Sequence, residues 1–318
     1  NTIRDFLALR LKMQLCDWAY LNLIDTFAKA FCGHGNEAVI MAAFIYSQSG
    51  YKMRLGRDCE KLYLLYGSKH GIYEKGYIVI EGINYYPLDD KVERMEISDF
   101  SFPQEQSMSL YIENAQKFTI RPSAKRKLAS EQYHDVTIDS QVNLNLIQFY
   151  NTYPSSEVNG NFMTRWKMYA DTPMDESVSQ MLYPDIKNKI EGLSDVQAVN
   201  QILNWVQTAF QYEYDDKVWG HDRAFFAEET LYYPYCDCED RAILFTRLVR
   251  DLLGLKCILV YYPGHLASAV CLKQQVNGDY ISLDGDVYTI CDPTYIGAPV
   301  GITMPEMDNR SAKVIKLL

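Results

Sequence analysis

An amphipathic helical run followed closely by four strand-like runs is the feature that most constrains the fold of this chain. Residues 239–253 place apolar side chains on one side of a helix, and Gly254 is typical of its carboxyl-terminal end. The strand-like runs follow at 256–262, 265–272, 280–283 and 287–291. Asp284-Gly285-Asp286 is typical of a hairpin turn. The pattern predicts a helix followed by antiparallel strands.

Composition and charge exclude several classes of protein. Apolar residues make up 48% of the chain, which excludes a disordered protein. The net charge of −10 argues against a partner such as DNA or RNA, because phosphate affinity needs clustered Lys and Arg. The longest apolar run, 38–46, is shorter than the roughly 20 residues of a membrane span. The 8 cysteines match neither a disulfide scaffold nor a zinc pattern, so we expect no metal and no cofactor.

The chain divides into three stretches, which we interpret as domains at 1–90, 91–173 and 174–318. The first has helical spacing and then strand-like runs, at 4–31, 36–48, 62–66 and 77–80. The second has short alternating runs that predict a small β-rich insert, at 108–112, 117–120 and 133–142. The third returns to helix and strand, with a helix start at Ser194-Asp195.

The first and third stretches match each other in three places, in the same order. The matches pair Ala19, Ala30 and Phe31 with Ala198, Ala209 and Phe210; Ala38, Gly50 and Leu55 with Ala242, Gly254 and Leu259; and Gly82, Tyr85 and Asp89 with Gly285, Tyr288 and Asp292. Amphipathic helices resemble one another, so each match is weak alone. Together they predict that 1–90 is a degenerate copy of the third stretch. His34 would then take the place of Cys238.

The residues that carry chemistry are Cys238, His265 and Asp292. Cys238 opens a helix, where the helix dipole is expected to lower the pKa of its thiol. His265 begins a strand 27 residues later, and Asp292 follows another strand after 27 more. A thiol, an imidazole and a carboxylate in this order can serve as nucleophile, base and orienting group. Each residue alone is more often structural, as a buried cysteine, a strand histidine or a turn aspartate.

The motifs resemble the transglutaminase-like superfamily. They are Cys-Glu-Asp-Arg-Ala from Cys238, Tyr-Pro-Gly-His-Leu-Ala-Ser-Ala-Val around His265, and Ile-Cys-Asp-Pro-Thr-Tyr around Asp292. More narrowly, they are similar to bacterial transglutaminase-like cysteine peptidases and hydrolases. The resemblance covers 195–300 and implies a papain-like α+β core, with a helix packed on an antiparallel sheet. It also implies that Cys238 is the nucleophile, His265 the general base and Asp292 the orienting carboxylate.

The chain departs from the family pattern at two points. Many relatives have Gly-Asp-Cys at the nucleophile, where this chain has a second thiol, Cys236. Cys238 is favoured because it lies at the helix start. Many relatives have His-Ala-Trp at the base, where this chain has His265-Leu266-Ala267. The backbone N–H of Cys238 is an expected oxyanion donor, and the indole of Trp219 is a second candidate that could equally pack in a loop.

Three functions are compatible with these residues. The leading one is a cysteine hydrolase or peptidase that cleaves an amide of a peptide or protein substrate through a thioester. The second is transglutaminase-type transfer, in which an amine replaces water and the triad is the same. The third is a non-catalytic binding protein that has kept the fold. The aromatic and acidic stretch 211–235 could line a cleft for a basic or polar substrate, or could equally be a surface flap with no selectivity.

Overall fold

The computed structural model describes residues 2–89, 95–98, 100–102, 104–274 and 276–318, and it has the mixed α+β structure that the sequence predicts. The chain forms two compact units. The first comprises Asn1–Phe118 with Thr152–Thr164, and the second Thr119–Asn151 with Arg165–Leu318. The predicted insert at 91–173 is therefore shared between the two units. Its residues 91–94, 99 and 103 lie outside the described part.

The first unit contains three helices and a five-stranded sheet among its described residues. Its elements are α1 (Thr2–Lys12), α2 (Asp17–Cys32), α3 (Asn36–Gln48), β1 (Met53–Asp58), β2 (Lys61–Ser68), β3 (Gly71–Ile72), β4 (Ile78–Ile80), β5 (Ile83–Pro87), β6 (Glu96–Ile97) and β9 (Ser156–Glu157). Strand β9 returns late in the chain to pair with β3.

The second unit has the longer set of elements. They are β7 (Arg126–Ala129), β8 (Thr137–Ser140), α4 (Leu144–Tyr150), α6 (Glu176–Ile190), α7 (Asp195–Thr208), β10 (Gln211–Tyr212), α8 (Asp215–Val218), α9 (Ala227–Tyr232), β11 (Tyr235–Cys236), α10 (Cys238–Leu253), β12 (Cys257–Tyr262), β13 (His265–Val270), β14 (Tyr280–Leu283), β15 (Asp286–Cys291) and β16 (Lys313–Lys316). Helix α5 (Met163–Asp171) begins in the first unit and continues into the second.

The two five-stranded sheets have the same topology. Their strand orders are β4-β5-β2-β1-β6 and β14-β15-β13-β12-β16, and neighbouring strands are antiparallel throughout both. Helices α2 and α3 precede the first sheet, and α7 and α10 precede the second, with α8 and α9 between them. These helices and the antiparallel strands therefore follow one another in the same order in both units.

The strand registers also agree at nearly constant spacing. The numbers of corresponding residues in the two sheets differ by 204 along the first two strands. Met53 pairs with Tyr66 in the first sheet, and Cys257 pairs with Val270 in the second. The numbers differ by 203 along the hairpin, where Ile80 pairs with Ile83 and Leu283 with Asp286. Because one residue of slip would exchange the two faces of a strand, agreement over four strands shows that the same faces are used in both sheets.

Local signals place the ends of several elements. Ser194 caps α7, with its side chain accepting from the backbone N–H of Gln197, as the predicted helix start requires. Gly254 ends α10 with φ of 63°, in the left-handed region that glycine adopts without strain. Asp284 and Gly285 form the predicted hairpin turn with φ of 55° and 88°.

Three predictions about elements are wrong. The helical run at 4–31 is two helices, because the chain turns at Gln14, whose φ is 53°. Gln116 holds this turn by accepting from Cys16 N–H at 2.7 Å and donating to the Gln14 carbonyl at 2.8 Å. The described residues at 108–112 and 117–120 form no strand, and 144–150 is helical where none was predicted.

Candidate active site

Helix α10 begins at Cys238 because a carboxylate holds its first turn. Asp240 accepts from the backbone N–H of Asp237 at 3.1 Å and from that of Phe225 at 2.8 Å. The helix packs on β12 and β13. The first turn of α10 is therefore held by Asp240, a residue of the helix, and by the loop before it. Cys238 is the first residue of the helix.

His265 and Asp292 meet at the ends of neighbouring strands. His265 is the first residue of β13, Asp292 directly follows β15, and β13 and β15 pair. The imidazole Nε2 lies 2.8 Å from Asp292 Oδ2, and both residues are buried. The other oxygen of Asp292 accepts from the backbone N–H groups of Thr294 at 2.9 Å and Tyr295 at 3.2 Å. The predicted histidine–carboxylate contact is confirmed.

The Cys238 sulfur lies beside a carboxylate and next to the start of β13. Its Sγ is 3.2 Å from Oε2 of Glu239, which accepts a hydrogen bond from the thiol. The backbone N–H of Leu266, the residue after His265, also hydrogen-bonds to the sulfur. The structure therefore brings the thiol to the end of the strand that carries the imidazole.

The charge state of the thiol differs from the prediction. Burial raises the pKa of Cys238 well above its ordinary value, and the negative charges of Glu239 and Asp237 raise it further. The Leu266 N–H lowers this pKa by less. The expected lowering by the helix dipole is therefore outweighed, and the thiol of the free protein is protonated at neutral pH.

Several acidic residues lie close together near the start of α10. Ligand oxygens of Asp215, Asp222 and Glu239 lie within 4.8 Å of one another, and Asp237 makes a similar group with Cys238 and Glu239. Arg165 pairs with Asp222. Burial, with the nearby Asp240 and Glu239, raises the pKa of Asp237 well above its ordinary value. Oxygen donors of this kind are the type that could hold a hard divalent cation.

Two positioning residues, Gln207 and Arg241, were not predicted from the sequence. Gln207, on α7, donates through Nε2 to the carbonyls of Asp292 at 2.9 Å, Tyr295 at 2.8 Å and Ala298 at 3.0 Å. Arg241 donates to the Gln207 carbonyl at 3.1 Å. Both side chains are about 1% exposed. These side chains join the start of α10 and the loop after β15 to α7. In the sequence, a Gln on the apolar face of an amphipathic helix was the one feature that could have indicated this role.

The remaining candidates have structural surroundings. Cys236 is buried and accepts from Arg241 Nε at 3.4 Å, and burial raises its pKa to about 12. Trp219 packs edge-on against Tyr233, and the Arg223 guanidinium stacks over its indole at 4.3 Å. These contacts are those of a packed aromatic cluster, and an oxyanion role for Trp219 stays a prediction.

Comparisons with known proteins identify no relative. No family model, no curated protein and no solved structure matches this chain. Within the part of the chain that the structure describes, no helix combines the length and the apolarity needed to cross a membrane.

Proposed function

We propose that the second unit is a cysteine hydrolase or peptidase with a papain-like core, in which Cys238, His265 and Asp292 form the catalytic triad. The observation that carries the proposal is the buried hydrogen bond of 2.8 Å between His265 and Asp292, beside the helix that begins with Cys238. A buried imidazole–carboxylate pair next to a thiol is the arrangement that activates a cysteine nucleophile.

The hydrogen bond determines which imidazole nitrogen is the base. Nε2–H donates to Asp292, so Nδ1 carries the lone pair and takes the thiol proton. Because the Cys238 thiol is protonated at rest, proton transfer accompanies attack of the sulfur on the amide carbonyl carbon. The backbone N–H of Cys238 at the start of α10 would stabilise the oxyanion.

The acyl-enzyme then forms and breaks in balanced steps. The imidazolium of His265 returns its proton to the leaving amine as the carbon–nitrogen bond breaks, which leaves a thioester on Cys238. Water attacks the thioester while His265 accepts one of its protons. The released thiolate regains that proton, and the second product is a carboxylic acid.

Transglutaminase-type transfer is the second candidate. In this reaction a primary amine attacks the same thioester and gives a new amide. The carboxylates Asp215, Asp222 and Glu239 favour it, because they would attract a protonated amine to the neighbourhood of the sulfur. Exclusion of water from the cleft would also be required.

A peptide library tests both candidates at once. The full chain is incubated with the library, with and without a primary amine, and the products are read by mass spectrometry. Cleaved peptides support hydrolysis, amine adducts support transfer, and products that also form with Cys238→Ala would refute both. Cys271→Ala is the matched control, because it removes a thiol that is not part of the triad. An unchanged library would support the non-catalytic alternative.

A further inference from the structure

The outer side of helices α2 and α3 in the first unit carries large apolar side chains that are exposed. Phe27 and Phe31 lie one turn apart on α2 with their rings stacked at 6.1 Å, and Ile40 and Phe44 lie one turn apart on α3. The exposed fractions of these four side chains, in the same order, are 38%, 73%, 50% and 59%. We call them the α2–α3 face. A surface cluster of this kind is typical of an interaction site.

The α2–α3 face lies on adjoining helices, and its α3 part points away from the sheet. The two helices pack against each other, and Cys32 Sγ lies 3.9 Å from Met41 Sδ where they meet. Helix α3 packs on β1 and β2. Its buried Ala42 and Tyr46 are on the side opposite the face, because 3.6 residues make one turn of the helix. The sheet of the first unit therefore does not cover this part of the face.

The corresponding residues of the second unit are fully covered. Residue numbers of the matching helices differ by 179 between α2 and α7 and by 204 between α3 and α10. The counterparts of the four residues of the face are therefore Val206, Phe210, Leu244 and Leu248. Their exposed fractions are 0%, 5%, 0% and 0%, and all four belong to one hydrophobic core cluster. The same face is thus interior in the second unit and open in the first.

Helix α6 supplies part of the cover in the second unit. It packs on α7, and its Tyr183 donates to Asp251 of α10 at 2.5 Å. The core cluster that contains the four counterparts also contains four residues of α6 that are spaced by four positions: Val178, Leu182, Ile186 and Ile190. An amphipathic helix therefore contacts both of the helices on which the buried counterparts lie.

The first unit has no equivalent cover among its described residues. Helix α1 precedes α2 as α6 precedes α7, but Phe6 is the one buried residue of α1. In the second unit, the connection between α7 and α10 contains α9, which packs on α10 and adds Leu231 to the cluster. Residues 33–35 alone connect α2 to α3. The α2–α3 face is therefore open because the elements that cover its counterpart are reduced or missing.

The size of the face fits one helix better than a second copy of this chain. A large apolar side chain has a surface of roughly 200 Å², so the exposed fractions of the four residues leave about 400 Å² open. The interface of a stable dimer buries about 800 Å² on each partner. The face is therefore too small for stable self-association. What covers its counterpart in the second unit includes a single amphipathic helix.

We propose that the α2–α3 face is a docking surface for an amphipathic helix of a partner protein, whose apolar residues recur every four positions as they do in α6. Burial of apolar surface drives the docking, and Phe31 and Phe44, the two most exposed residues of the face, are its anchors. The surface is independent of Cys238 and of any reaction there.

A peptide copied from α6 is the probe. Residues 175–191 are synthesised with a fluorescent label, and the anisotropy of the label is followed as the full chain is added. We expect saturable binding with an apparent Kd below about 100 μM, and none for the peptide with Leu182→Asp. Phe31→Asp and Phe44→Asp in the chain should each weaken the Kd by about 10-fold or more, because docking would bury a charge. Val79→Asp, at an exposed apolar residue of the same unit outside the face, should leave the Kd unchanged.

Three results would overturn the proposal. The first is the absence of saturable binding. The second is a Kd that Phe31→Asp and Phe44→Asp leave unchanged, because the peptide would then bind elsewhere, for example in place of α6 itself. The third is a dimer in sedimentation velocity that Phe31→Asp dissociates, which would assign the face to a second copy. An unchanged Tm shows that each variant is folded, and Phe44→Ser, which adds no charge, replaces any variant that is not. Cys238→Ala should leave the Kd unchanged, so failure of this surface leaves the proposed catalytic function untouched.

Discussion

The substitution Glu239→Gln should make Cys238 more reactive. Glu239 Oε2 lies 3.2 Å from the thiol sulfur, and its negative charge is one of the causes that raise the thiol pKa. Glutamine has nearly the same shape but no charge. The substitution therefore removes a charge that opposes the thiolate while it keeps the packing at the start of α10.

The size of the effect follows from the distance. At 3.2 Å a unit charge opposes the thiolate by about 1.3 kcal/mol with the dielectric constant of water, and by about 5 kcal/mol with an effective value of about 20. At about 1.4 kcal/mol for each factor of ten, the substitution should favour the thiolate over the thiol by about 10-fold to about 5,000-fold. A thiolate of lower pKa is also a weaker nucleophile, with a Brønsted slope of about 0.4–0.5. The alkylation rate at pH 7 should therefore rise by about 3-fold to 100-fold.

The assay is alkylation by iodoacetamide, followed for each cysteine by peptide mass spectrometry across a range of pH. The rate at Cys238 should increase with pH in both proteins, with the inflection at lower pH in Glu239→Gln. Glu191→Gln, at an exposed position of the same unit, is the control. An inflection that stays in place or moves to higher pH would show that Glu239 does not oppose the thiolate. Because burial and the nearby charges raise the pKa of Cys238, the exposed Cys59 should be alkylated before it in the unsubstituted chain.

Three further predictions concern the second unit. Asp292→Asn should lower kcat of the proposed reaction by about three to four orders of magnitude, because the imidazole loses the acceptor that orients it. An unchanged kcat would show that Asp292 is not part of the triad. Gln207→Ala should lower the free energy of unfolding by about 3 kcal/mol in urea, because buried carbonyls lose their donor, whereas the exposed Gln180→Ala should not. Burial raises the pKa of Glu228 from 4.5 to about 7. Its contribution to the stability of the fold is therefore greatest below pH 4.5, where Glu228 is neutral, and this stabilisation is lost as the pH rises from 4.5 to 7. Glu228→Gln should therefore be more stable than the unsubstituted chain by about 3 kcal/mol at pH 8 and equally stable at pH 4, as measured by thermal unfolding at both pH values.

Features that depend on neighbouring residues could be predicted from the sequence. Helix α10, its end at Gly254 and the Asp284-Gly285 turn follow from periodicity and from residues that tolerate positive φ. The contact between His265 and Asp292 was also accessible, because both residues lie at strand ends in a run of short antiparallel connections.

Features that depend on distant residues could not be predicted. The break between α1 and α2 is held by Gln116, which is about 100 residues away in the chain. Strand β1 carries charges and Gly56 and is defined by its pairing with β2. Its own composition does not indicate a strand.

The wrong prediction about the pKa of the Cys238 thiol has a similar origin. A helix start indicates a lowered pKa, but burial is a tertiary property that a local motif does not reveal. Glu239 is next to Cys238 in the sequence, so an effect of its charge on the thiol pKa could have been predicted. The placement of its carboxylate against the sulfur could not.

The pairing of β3 with β9 has a consequence for synthesis on the ribosome. Gly71 and Ile72 find their partners, Glu157 and Ser156, only after residues 119–151 have been made. Those intervening residues belong to the second unit, and none of the strands of its five-stranded sheet has been made at that moment. The nascent chain therefore carries an incomplete first unit together with an unpartnered part of the second. Because the sheet that is made later has the same register as the first, strand exchange between the two sheets is the misfolding route that chaperones would have to suppress.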